Sequence, residues 1–406
     1  MLLGIAFLAF VSLGLPDGVL GVAWPSIRGT FALPISQLGA LLFAAMGGYL
    51  ASSFSSGAVV ARIGVGRLLL ASSVVMVVSL LGSALAPGWR VMLACGVLAG
   101  LGAGAIDAGI NGYAAAHCSA RTVNWLHACY GIGAMLGPLL MTGVLSAALA
   151  WRCGYGLIGG TLAAMAVCFF LTLDRWEAGA PRDESGLAAS AAPTAGIGET
   201  LGRPVVWMNI ALFFLYTGLE VTTGQWTYSL FTEGRGVNPG VAGIWVAAFW
   251  GSLTAGRVAF GALAGRFPAL GLLRLAMGSA PVGAALIWSD ASRLLSLVGL
   301  VVLGLSLAPI YPLLIAGTPA RVGASYATPA IGFQVAAAYL GTAALPGTAG
   351  LLARWRGLEV IGPFLVAAAL ALLLLHELAV RRGRVAAAPF RSEEIRNDPR
   401  PTRPRC

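Results

Sequence analysis

The chain has 406 residues, 58% of them hydrophobic and only 10% charged, with a mean hydropathy of +0.86 and a formal net charge of +10. So few charges cannot cover the surface of a soluble domain, which excludes the water-soluble classes. The apolar runs are long and unbroken, which excludes a membrane β-barrel, whose strands alternate polar and apolar residues over about ten positions.

A membrane-crossing helix needs about 20 mostly apolar residues. Twelve such stretches are legible, and the sequence predicts spans at 2–27, 36–60, 68–86, 91–117, 123–149 and 152–173 in the first half. The first has no basic leader and carries an acid, so it is expected to be a retained span rather than a cleaved signal peptide. Residues 174–203 follow, rich in Ala, Gly, Ser and Pro and bearing Arg182, Asp183, Glu184, Glu199 and Arg203. This composition predicts a flexible linker. The second set of spans is 204–231, 240–263, 271–289, 293–317, 325–350 and 357–380. Residues 381–406 form a basic tail with eight arginines against Glu393, Glu394 and Asp398, half of the net charge. The organisation is therefore a six-helix bundle over 1–173, a linker over 174–203, a second bundle over 204–380 and a tail over 381–406. The abundant glycine (56 residues) suits close helix packing in lipid.

Every basic residue is arginine. Loop arginines nearly cancel across the membrane: Arg62, Arg67, Arg121, Arg266, Arg274 and Arg321 lie on one side, against Arg28, Arg90, Arg152, Arg235, Arg293, Arg354 and Arg356 on the other. The linker and tail break the tie and are expected to place both termini in the cytoplasm. Arginine-only usage suggests a bacterial source, and so an inner-membrane location.

The halves repeat. Gly57-Ala58-Val59-Val60-Ala61-Arg62 recurs as Gly261-Ala262-Leu263-Ala264-Gly265-Arg266, an offset of 204, and Asp17 maps to Glu220 at 203. Trp24 and Trp226 fall near the same register. Six plus six spans of one orientation predict an all-α membrane protein of two pseudo-symmetric bundles, related by an axis along the membrane normal.

Three acids sit inside apolar spans: Asp17, Asp107 and Glu220. A charge at mid-bilayer costs about 2.5–3.5 kcal/mol on the lenient insertion scale, so such residues face a cavity or a partner. At 1.5 Å of rise per residue, Asp17 and Glu220 lie roughly 22–24 Å deep and Asp107 roughly 15 Å. They are the leading candidates for proton coupling or solute binding; the alternative is a hydrogen bond to a neighbouring helix. Asn111 is one turn from Asp107 on the same face. His127, near the start of span 5, completes a possible Asp107–Asn111–His127 cluster, and imidazole exchanges protons near neutral pH. Arg257, roughly 13 Å deep, needs a counter-charge; it is either an anion or substrate ligand or a lock between helices. Gln225 and Trp226 pair an amide with an indole, a combination suited to a polyol. Trp24, Tyr49, Tyr311, Gln334 and Tyr339 are further candidates, although aromatics also belt membrane interfaces.

At these residues the chain resembles the major facilitator superfamily, whose loop signature reads G-x-x-x-D-R-x-G-R-R. Gly57, Arg62, Gly64 and Arg67 follow it, with Ala61 in place of the acid; the second copy keeps Gly261 and Arg266, with Gly265 at the acid position. Within the superfamily it is similar to the fucose:proton symporter branch at Gly14-Leu15-Pro16-Asp17-Gly18, Asp107-Ala108-Gly109-Ile110-Asn111, Gly218-Leu219-Glu220, Gly224-Gln225-Trp226 and Phe249 through Arg257. The resemblance implies alternating access, and roles for Asp17 and Asp107 in proton coupling and sugar binding.

Other motifs are discounted. Gly96, Gly100, Gly102 and Gly104 look like a nucleotide-binding run, but no strand precedes them, and helix packing is expected instead. Gly133-x-x-x-Gly137-Pro138 partly matches a motif of drug:proton antiporters and keeps a proton-driven exporter open as an alternative, beside a non-transporting receptor. The cysteines (Cys95, Cys118, Cys129, Cys153, Cys168, Cys406) show no metal spacing, and His376-Glu377 does not extend to H-E-x-x-H. No enzyme is expected. The leading expectation is a monomeric, proton-coupled importer of a small polar, sugar-like solute. The proton serves as coupling ion, with no cofactor, no metal and no nucleic acid; the partners are the solute and the lipid bilayer.

Overall fold

The computed structural model describes residues 2–118, 120–176, 195–263 and 266–396. Arg182, Asp183 and Glu184 of the expected linker, Ala264 and Gly265 of the second loop motif, and the end of the tail lie outside the described residues. Among the described residues, twelve helices are long and apolar enough to cross a membrane. Spans 1–6 are Leu2–Thr30, Gln37–Ile63, Val65–Leu85, Trp89–Ala114, Trp125–Ser146 and Trp151–Leu171. Spans 7–12 are Pro204–Gly234, Pro239–Gly261, Ala269–Ser289, Arg293–Ala316, Ala324–Arg356 and Leu358–Arg382. No strand occurs among the described residues. An even number of crossings brings both ends to one side, here called the terminus face.

Local chemistry sets the turns. Gly64 alone joins span 2 to span 3, at φ 83°, a left-handed conformation that glycine adopts without a Cβ penalty. The signature glycine is thus a backbone requirement. Pro204 opens span 7 at its first turn, where a missing N–H costs nothing. The Ser292 side chain accepts from the Leu295 amide and caps span 10.

Three elements depart from expectation, the first being a short helix at Ile197–Leu201 inside the stretch expected as a flexible linker. Span 10 is not one continuous helix over 293–317 but Arg293–Leu307 followed by Ile310–Ala316. Pro309 at the junction has no N–H to donate, and its ring crowds the preceding turn. The last helix also does not stop at the tail: it runs Ile361–Arg396.

The two bundles repeat each other in packing. In the first, span 1 packs on 5 and 6, span 2 on 4, and span 3 on 4 and 6. In the second, span 7 packs on 11 and 12, span 8 on 10, and span 9 on 10 and 12. Every pair maps onto its counterpart by adding six. Between the bundles, spans 5 and 8, 2 and 11, and 1 and 7 meet. That set maps onto itself under the same exchange, as a two-fold axis between spans 1 and 7 requires.

The glycine columns hold these pairs together. Cβ atoms built on Gly96 and Gly104 would come within 2.7 Å of Leu41 Cδ1 and 2.6 Å of the Tyr49 carbonyl oxygen, and one on Gly100 would run into the Ala45 carbonyl. Three glycines at one-turn spacing on span 4 therefore meet three turns of span 2, as small residues do in lipid-embedded packing. Gly133 and Gly137 likewise meet the Val11 and Leu15 carbonyls of span 1, so packing accounts for this motif too.

Candidate transport site

The halves are shut on the face opposite the termini. Arg28 of span 1 and Glu233 of span 7 form an ion pair at 2.7 Å. A Cβ on Gly39 of span 2 would lie 2.8 Å from Gly347 Cα of span 11, and Gly243 of span 8 abuts Thr142 of span 5. Toward the terminus face the halves diverge. Trp125 is 48% exposed and Phe54 75%, and His127 is exposed. Asp17 lies mid-span and is exposed.

Three acid clusters surround this opening. Span 5 packed on span 1 brings Tyr130 to Asp17, and its hydroxyl donates to the Asp17 carboxylate. Gln225 Nε2 donates to the Asp17 backbone carbonyl at 3.1 Å, a link from span 7 across the two-fold axis. Beside it, a Cβ on Gly21 would sit 2.6 Å from the Gly224 carbonyl oxygen.

Asp107 is held from span 2 and from its own helix. Tyr49 Oη donates to Asp107 Oδ2 at 2.6 Å, and Asn111 Nδ2 donates to Oδ1 at 2.9 Å. The Tyr49 hydroxyl also meets that of Tyr339 on span 11, the rings lying 3.8 Å apart between centroids. His127 sets its ring edge-on to Phe10 at 5.5 Å, close enough to Asp107 to interact with it electrostatically.

Glu220 is different in kind. Arg257 Nη2 lies 3.1 Å from Glu220 Oε2 and 3.3 Å from Oε1. It also donates to the Tyr216 hydroxyl at 3.2 Å, while Tyr216 donates to Glu220. Arg257 therefore locks span 8 to span 7 in this conformation. Among the described residues no cation lies within ion-pair distance of Asp17 or Asp107.

The structure thus brings together Asp17, Asp107, Asn111, His127, Glu220, Gln225 and Arg257. Two expected residues stand apart. Trp226 is fully buried; its Nε1 donates to the Pro346 carbonyl at 2.9 Å, and Gly350 packs against its ring. Its indole is committed to span 11 and, fully buried, is not offered to a solute here. Gln334 is also fully buried, its Oε1 accepting from Thr318 at 3.1 Å within the second half. Tyr130 and Tyr216 were missed. Tyr216 is one turn from Glu220, a spacing visible in sequence; Tyr130 is 113 residues from Asp17 and carries no such signal.

The family model described as the Major Facilitator Superfamily matches residues 5–328. The chain belongs to the major facilitator superfamily. It is 26% identical over 386 residues to Bypass of stop codon protein 6 of Saccharomyces cerevisiae, covering 87% of this chain and 77% of that one. In fold it is similar to the nucleoside transporter NupG (TM-score 0.76, 12% identity, 92% of this chain and 98% of that one). It is also similar to a D-xylose-proton symporter (TM-score 0.68, 16% identity, 91% and 96%). This superfamily member is a multi-pass transporter and not an enzyme.

Proposed function

We propose that this transporter couples proton movement to uptake of a small polar, sugar-like solute, as the fucose:proton symporter branch does. One observation supports the reading: Asp17 and Asp107 are held by hydroxyl and amide donors, with no ion-pair partner among the described residues. A carboxylate placed so, at the edge of a low-dielectric medium, gains less from ionisation than one paired to a cation. It can take up a proton from one side and release it to the other. Glu220, neutralised by Arg257, is the poorer carrier and the better structural anchor.

Solute recognition falls to the polar groups on the same walls. Asn111, Gln225 and the Tyr49–Tyr339 pair supply donors and acceptors suited to hydroxyls. The fold neighbours named as nucleoside and xylose carriers handle solutes of that chemistry, which supports the class without naming the compound. The basic tail favours cytoplasmic termini in a bacterial inner membrane. With that orientation the conformation is open to the cytoplasm and closed outside.

The test is transport in proteoliposomes with a panel of labelled sugars, with and without an imposed pH gradient. The expected result is counterflow for at least one sugar, together with gradient-driven accumulation. Asp17→Asn should keep counterflow and lose accumulation. Accumulation unchanged in that variant removes Asp17 from coupling. Luminal acidification on adding a lipophilic amine, with no sugar flux, points to export instead.

A further inference from the structure

Outside the central opening, an open groove of about 480 Å³ lies between spans 7 and 12 at the terminus face. Its size falls within the roughly 300–1,000 Å³ of small-molecule sites. Its lining includes Pro204, Trp207, Met208, Ala211, Leu375 and Arg382. We propose that this groove binds one anionic phospholipid of the adjacent leaflet, with the phosphate on Arg382 and an acyl chain along Trp207, Met208 and Ala211. The inference does not rest on the transport reading.

Depth is the first argument. Pro204 is the first residue of span 7 and Arg382 the last of span 12, so the groove mouth lies at the water–hydrocarbon boundary. Ala211 is seven residues beyond Pro204, and Leu375 seven before Arg382. Each pair is two helical turns, so the groove reaches about 10 Å into the apolar zone on both walls. A free anion has no use for so long an apolar wall; an amphiphile with a charged head does.

Wall chemistry is the second. Trp207 is 55% exposed, but its Nε1 already donates to the Leu201 carbonyl at 2.8 Å, so the ring offers the groove only apolar surface. Arg382 is exposed, and no carboxylate pairs with it among the described residues. Arg381 precedes it and Arg384 follows closely in sequence. One guanidinium at the mouth of an apolar slot, beside further arginines, complements an anionic headgroup with its chain below.

The experiment is native mass spectrometry of the full chain in neutral detergent, titrated with phosphatidylglycerol, phosphatidylcholine or inorganic phosphate. One phosphatidylglycerol per protein is expected to survive, in preference to phosphatidylcholine and without displacement by inorganic phosphate. Arg382→Gln should weaken it about fivefold, the change that about 1 kcal/mol per basic residue near an anionic surface represents. Ala211→Trp, which fills the slot and keeps the charge, should weaken it comparably. Arg266→Gln, an exposed arginine elsewhere on the terminus face, should leave it unchanged. Equal retention of phosphatidylcholine overturns the proposal, as does competition by inorganic phosphate. So does equal weakening by Arg266→Gln, or full retention in Arg382→Gln; because Arg382 is exposed, that variant decides even if Ala211→Trp misfolds.

Discussion

Tyr49 and Tyr339 join the two halves of the protein at mid-membrane, hydroxyl to hydroxyl, while Tyr49 simultaneously donates to Asp107. The protonation state of one carboxylate is thereby wired to a contact between bundles. Protonating Asp107 weakens its acceptance of the Tyr49 hydrogen, because bonds to a charged partner are about twice as strong as neutral ones. Tyr49→Phe and Tyr339→Phe are each expected to slow gradient-driven transport. Combined in a double-mutant cycle they should show a coupling of about 0.5–3 kcal/mol, as residues in one network do. Rates of accumulation in proteoliposomes provide the measurement; strict additivity would mean that the two hydroxyls do not communicate.

Glu220 and Arg257 should behave as an ion pair whose halves are worth little apart. Glu220→Gln leaves the guanidinium unneutralised and is expected to destabilise by about 3–5 kcal/mol, the usual cost of breaking a buried pair. The double variant Glu220→Gln/Arg257→Met should recover much of that loss. Thermal unfolding in detergent reads both; a double variant no more stable than Glu220→Gln argues against the pairing.

Packing at the glycine column of span 4 predicts a contrast between two substitutions. Gly100→Ala drives a methyl into the Ala45 carbonyl and should cost about 1–3 kcal/mol through overpacking. Gly57→Ala meets nothing within 4 Å and should be neutral or gain up to about 1 kcal/mol from helix propensity. Melting temperatures of the two variants, compared side by side, decide the matter.

The Arg28–Glu233 bridge is partly exposed, 29% and 30% by side chain, so its worth is about 0.2–1 kcal/mol. Arg28→Ala is therefore expected to shift the balance of open and closed opposite-face conformers by no more than about fivefold. Spin-label distances between the opposite-face ends of spans 2 and 11 report the populations. A complete switch of conformer would show that the bridge alone holds that face shut.

Much of this was legible in the sequence because membrane helices obey a length rule and because the chain repeats itself. The twelve spans follow from apolar run length, and the Asp17–Glu220 correspondence follows from register. Gly96, Gly100 and Gly104 announce close packing, though not the turns of span 2 that they meet. The break at Pro309 hides within a run whose hydropathy never falters. The least legible features are contacts between helices distant in sequence. Nothing near Asp17 marks Tyr130 as its donor, and nothing in Gln225-Trp226 tells that the amide turns toward the axis while the indole turns into span 11. Glu220 and Asp17 share a register yet not an environment, because the cation at Arg257 has Ser53 at the matching offset in the first half.

The backbone contact of Gly21 with Gly224 has a mechanical consequence. It sets a fulcrum where spans 1 and 7 cannot approach further, and Arg28 lies seven residues, or about 10 Å, up the lever arm from it. A tilt of about 15°, the scale of known rigid-body switches, displaces that arm's tip by roughly 2–3 Å at 1.5 Å of rise per residue. Such a swing suffices to stretch the bridge to Glu233 beyond contact while barely disturbing the acids at the hinge.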